Sequence, residues 1–154
     1  MRLKPWLDSI FDPHKAVTYR LDLSGQLEKV NSEILKWVKG ARDSIDLMCD
    51  TFDNRIYNPI LLNALTSRKN SHQVKIRIIT FSMFASEFES CDLQIKSTYP
   101  INRNFLIVDR DSLATFAKER DSDEYLRAML QKNTDNRGIK LKDKFFQLYS
   151  GRRY

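Results

Sequence analysis

The sequence predicts a single α/β domain, and three observations carry that prediction. Gln73 to Phe81 sets Val74, Ile76 and Ile78 on one face and Lys75, Arg77 and Ile79 on the other, the period-two pattern of a strand. Leu27, Val30, Ile34, Val38 and Ala41 step by three and four residues, which is the period of an amphipathic helix, with Gly40 near its end. Between them Ser44 to Phe52 reads as a strand and Arg55 to about Arg68 as a helix, so strand, helix and strand mark a βαβ unit with parallel strands and a right-handed crossover. At 154 residues the chain, 1–154, is the size of one domain with one well-formed core.

The other elements follow in order. Residues 1–15 carry Trp6, Leu7, Ile10 and Phe11 at helical spacing before Asp12-Pro13, which predicts a short N-terminal helical extension packed on the body. Ala16 to Leu23 alternates Val17, Tyr19 and Leu21 with Thr18, Arg20 and Asp22, a half-buried strand, and Ser24-Gly25 starts the first long helix. The second helix turns Tyr57, Leu61, Ala64 and Leu65 inward, after a turn at Asp53-Asn54. Ser82 to Ser90, with Met83, Phe84 and Phe88, reads as a short helix or a lid, and Asp92 to Ser97 as a strand broken by Tyr99-Pro100. Asn104 to Val108 is an apolar, partly β-branched strand, and Leu113 to Ala117 is the next one across a turn at Asp109 to Ser112. Glu124 to Gln131 places Tyr125, Leu126, Met129 and Leu130 at helical spacing. The last element, Arg137 to Tyr149, reads as a helix with Leu141, Phe145, Leu148 and Tyr149 inward and Lys140 and Lys144 on a shared outer stripe.

Composition narrows the function. The net charge of +6 belongs to the C-terminal segment, because Arg127 to Tyr154 holds eight basic and two acidic residues while residues 1–126 hold eighteen of each. A basic segment of this kind, residues 127–154, either attracts a polyanion or serves as a solvated face. Cys49 and Cys91 sit in or beside apolar stretches without C-x-x-C spacing, which predicts reduced packing thiols and no zinc site. No apolar run approaches the roughly 18 residues that span a membrane, and the start Met-Arg-Leu-Lys-Pro-Trp lacks the apolar core of a signal peptide, so a soluble, cytoplasmic protein is expected. The two histidines, His14 and His72, lie in a turn and a polar loop, and no Gly-rich phosphate loop, G-x-S-x-G elbow or H-E-x-x-H helix occurs. No cofactor and no metal are expected, since no cluster of His, Cys and carboxylates has ligand spacing.

The most informative stretch runs from Pro100 to Leu113. Asn102 and Asn104 point the same way on the strand, and Asp109 ends it where the chain turns. The pattern Asn102-x-Asn104, four apolar residues, Asp109 resembles the His-x-Lys-x4-Asp signature of the phospholipase D superfamily, whose His position falls on Asn102 and whose Lys position falls on Asn104. The resemblance covers about Leu27 to Tyr149 as a single repeat and implies a phospholipase D-like mixed sheet flanked by helices, with a strand near Ala128 to Lys132. In that family His forms a covalent phospho-enzyme and Lys neutralises phosphate charge. Asn has neither a basic nitrogen nor a positive charge, so the resemblance carries a degenerate site, Asn102, Asn104 and Asp109, without a nucleophile.

Two readings follow. In the first, the chain is a catalytically inactive phospholipase D-like module, a homodimer because the family builds its site between two repeats, that binds a phosphate-bearing polymer such as DNA or RNA, or another protein. Lys140, Lys144, Arg152 and Arg153 are then the expected nucleic-acid contacts. In the second, it is an active nuclease or phosphodiesterase whose nucleophile is unrecognised or replaced. The second reading has to account for the loss of both His and Lys.

Overall fold

In the structure, a computed structural model, residues 16–71, 73–91, 93, 95–98, 103–120 and 122–132 are described, together with Lys140, Phe145 and Tyr149. The expected N-terminal helix at residues 1–15, Asn102, Lys144, Arg152 and Arg153 lie outside the described residues.

Seven strands form one sheet in the order β1-β7-β6-β5-β2-β3-β4. They are β1 (Val17–Arg20), β2 (Ser44–Cys49), β3 (Lys75–Phe81), β4 (Ile95–Thr98), β5 (Asn104–Val108), β6 (Ser112–Lys118) and β7 (Tyr125–Gln131). The expected βαβ unit is present: β2 and β3 pair in parallel, Ser44 opposite Lys75 and Cys49 opposite Thr80. Strand β4 extends the parallel half, whereas β5, β6, β7 and β1 each pair antiparallel with the neighbour before them. The sheet is therefore mixed. β2 lies near its middle, and all six of its residues are buried, as a strand covered on both faces must be.

The first helix, α1 (Ser24–Lys39), buries Val30, Ile34, Trp37 and Val38, a stripe close to the one the spacing predicts. The second, α2 (Pro59–Asn70), starts four residues later than expected. Asn58 is its N-cap, with Oδ1 accepting the Leu61 N–H at 3.0 Å, and Pro59 follows in the first turn. A residue before proline is disfavoured in helical geometry, and the missing proline N–H costs nothing at a helix start, so the boundary falls here. Ser82 to Ser90 is a 3-10 turn (Ser82–Phe84) running into a short helix, α3 (Ala85–Glu89).

Strands β2, β3, β5 and β6 send alternate side chains to two cores. On the face covered by α1 and α2 lie Ile45, Leu47, Ile78, Leu106, Val108 and Ala114, with Phe88 of α3 packed among them. Met48, Ile79, Phe105, Ile107 and Leu113 project the other way and bury against Phe145. Phe145 meets Phe105 edge-on with ring centres 6.4 Å apart and stacks on Tyr149 at 5.7 Å. Both aromatics are helical, as the C-terminal pattern predicts, and Lys96 of β4 donates to the Tyr149 carbonyl. The same face holds a charged pair, Asp46 and Arg77, directly opposite in the β2–β3 register, with Arg77 Nε 2.7 Å from Asp46 Oδ1. Asp46 is fully buried, and a partner at this distance is what makes a buried carboxylate tolerable.

Candidate functional site

The two described members of the motif stand at opposite ends of β5. Asn104 begins the strand and Asp109 follows its last residue, so at about 3.3 Å per residue they are roughly 16 Å apart along the sheet. They cannot share one small ligand.

Asn104 is buried beside the C-terminal end of β2. Its Oδ1 accepts the backbone N–H groups of Asp50 at 2.8 Å and Thr51 at 3.0 Å, where the chain leaves the strand. The Tyr125 hydroxyl lies 3.1 Å from the same oxygen and 2.5 Å from the Thr51 carbonyl; it has one proton, and the nearer carbonyl takes it. Cys49 Sγ also donates to that carbonyl at 3.0 Å. Burial pushes the Cys49 thiol up to about 12 and raises Tyr57 and Tyr125 well above the ordinary phenol range. These groups stay protonated at neutral pH and are not nucleophiles, and Cys49 and Tyr125 act as hydrogen-bond donors. Asn104, where the resemblance puts Lys, thus fastens the end of β2 to β5, and Tyr125 fastens it to β7.

Two cations at this end, Arg55 and Lys118, are held by carboxylates of the protein. Arg55 donates to both oxygens of fully buried Asp53, at 3.1 and 2.8 Å, and to the carbonyls of Leu21 at 3.2 Å and Tyr125 at 2.6 Å. Its hydrogen bonds to Asp53 push its pKa above the usual guanidinium value. Asp53 Oδ2 in turn accepts the Tyr125 N–H at 2.7 Å. Lys118 stands 3.8 Å from Asp50. The sequence marks Asp53 only as a turn residue; its role depends on Tyr125, 72 residues later, which local patterning does not reach.

Asp109 has a different task. Its backbone is left-handed, φ 54°, as is that of Arg110, φ 72°, and aspartate is among the few side chains that visit this region readily. The carboxylate accepts three successive N–H groups, from Arg42 at 2.9 Å, Asp43 at 2.7 Å and Ser44 at 3.0 Å, while its own N–H donates to the Ser44 carbonyl at 2.8 Å. It holds the start of β2 against the β5–β6 turn. Of the expected nucleic-acid contacts, Lys140 is described and exposed. Among the described residues no group of three or more His, Cys, Asp or Glu could hold a metal ion, and no helix is long and apolar enough to cross a membrane.

The mixed seven-stranded sheet with its flanking helices matches the fold of solved phospholipase D family members. The chain is similar in structure to Nuc from Salmonella typhimurium, a phospholipase D family member, with a TM-score of 0.65 and 14% identity over 90% of this chain and 95% of that one. NucT from Helicobacter pylori gives a TM-score of 0.63 and 14% identity over 86% and 94%. TrmBL2, an archaeal chromatin protein with a novel mode of DNA binding, gives 0.65 and 13% over 94% of this chain and 56% of its own. No protein-family model matches the chain, and no curated protein matches it in sequence.

Proposed function

We propose that this chain is a non-catalytic phospholipase D-like module that forms a homodimer and binds nucleic acid through its phosphates. The observation that carries the reading is the fate of Asn104: where the resemblance asks for a phosphate-neutralising cation, this chain has a neutral amide whose oxygen is taken by two backbone N–H groups. The nearby cations Arg55 and Lys118 face carboxylates of their own. Similarity to a DNA-binding chromatin protein and the net charge of +6 support a polyanion as the ligand, with Lys140, Lys144, Arg152 and Arg153 as contacts.

Hydrolysis of a chromogenic phosphodiester should stay at the buffer rate with the native chain and with Asn102→His/Asn104→Lys assayed beside it. Turnover by the native chain would establish an active phosphodiesterase and end the reading. The resemblance to a family that builds its site between two repeats supports the dimer, and the end of the sheet that carries Asn104 offers apolar surface for it: Leu23, Ile60 and Met83 are the exposed large hydrophobics among the described residues, and all three lie there. Sedimentation at micromolar concentration should give twice the chain mass of 18.2 kDa. A clean monomer removes the dimer from the proposal and leaves the binding reading to the other tests.

A further inference from the structure

Residues 1–126 are electrically balanced in sequence, but the exposed charges among the described ones are unevenly placed in space. The C-terminal ends of α1 and α2 and the β5–β6 turn all fall at the end of the sheet away from Asn104. Exposed there are Lys36, Lys39, Arg42, Lys75 and Arg110, against the exposed carboxylates Asp43 and Asp111. Asp109, the third carboxylate of this edge, is occupied by backbone N–H groups. The other end has the opposite bias: Asp22, Glu87, Glu89, Glu119, Asp123 and Glu124 are exposed against Arg20, Arg103, Arg120 and Arg127. Five cations against three carboxylates leave a surplus of two, and two helix C-termini, at about half a negative charge each, do not cancel it.

The edge is also held rigidly. Asp109 ties the α1–β2 connection to the β5–β6 turn, the Lys75 N–H donates to the Asp43 carbonyl at 3.0 Å, and Arg68 donates to the Ala41 carbonyl. Three separate segments are thereby locked together, so their cations are presented on fixed backbone. Tyr19, Phe52, Phe81 and Phe84, the half-buried aromatics among the described strands and loops, lie elsewhere. An edge with cations and, among the described residues, no aromatic platform suits a phosphate backbone and not unstacked bases.

We propose that this edge, at the far end of the sheet from Asn104, is a docking surface for the phosphate backbone of duplex nucleic acid. The proposal rests on the polyanion reading above and locates its contact. The acidic, partly apolar end would then face protein and the basic end nucleic acid.

The test is binding of a fluorescein-labelled 20-base-pair duplex of arbitrary sequence by the full chain, followed by anisotropy between 50 and 200 mM salt. Lys39→Glu/Arg42→Glu should weaken binding at least tenfold and flatten the slope of log affinity against log salt by about two units. Lys75→Glu/Arg110→Glu, on two other segments, should do the same, which guards against a local folding defect in either variant. Arg103→Glu/Arg120→Glu, at the opposite end, should change affinity less than twofold. Unchanged binding by both edge variants overturns the docking surface. If Lys140→Glu/Lys144→Glu alone then weakens binding, the polyanion reading stands without it. If the unaltered chain does not bind the duplex, both fall together.

Discussion

Replacing Asp109 by Ala should cost about 3–5 kcal/mol, the largest effect expected of any single substitution at the motif. Three backbone N–H groups lose a charged acceptor, and hydrogen bonds of that kind are worth roughly 1.5–3 kcal/mol each before solvent takes back a share at this half-buried position. Alanine also tolerates the left-handed backbone poorly, adding about 1 kcal/mol. Asp109→Asn keeps an acceptor oxygen and the backbone preference, and should cost about half as much. Chemical denaturation of the three proteins checks the order. A loss below about 1 kcal/mol for alanine would mean that Asp109 does not anchor β2.

Asn104→Leu comes second, at about 2–4 kcal/mol, because the volume is kept while two buried N–H groups, of Asp50 and Thr51, are left without an acceptor. Asn104→Asp restores the acceptor but brings a second carboxylate beside nearly buried Asp50, so it should also destabilise, and more so at neutral pH than at pH 4. For a chain of this size these losses correspond to a fall in melting temperature of roughly 5–15 °C. If leucine is neutral, Asn104 is not a structural fastener and the case for a retired cation site loses its main support.

The sequence predicts strands well where both faces are buried or where polar and apolar residues alternate without interruption, as in β2, β3 and β5. It leaves β7 between helix and strand for a physical reason. Ala117 pairs with Arg127 but Lys118 pairs with Tyr125, so Leu126 is bulged. The bulge resets the alternation: Tyr125, Ala128 and Leu130 are buried, and the three-residue step from Tyr125 to Ala128 imitates a helix. The strand near Ala128 that the family resemblance implies is the reading the structure bears out. The start of α2 was also legible, in Asn58-Pro59, but the apolar Tyr57 just upstream extends the helical pattern past the cap. Tyr57 instead packs against Phe52 and Phe88 from the preceding loop.

The site was legible only as a frame. Asn104 and Asp109 stand where the spacing puts them, but what they do depends on Arg42, Asp50, Thr51 and Tyr125, which reach them through pairings of β5 with β2 and of β6 with β7. Charge shows the same limit. Eighteen basic and eighteen acidic residues cancel along residues 1–126, and only the fold shows that the exposed ones among the described residues leave a basic surplus at one end of the sheet and an acidic surplus at the other.

Binding without cutting is the central claim, and one sample can test it. The full-length chain, incubated with end-labelled duplex DNA at 50 mM salt with and without divalent cations, is divided between a native gel and a denaturing gel. The account predicts a retarded band on the first and strands of unchanged length on the second. Shortened strands, or a duplex that is not retarded at all, would contradict it.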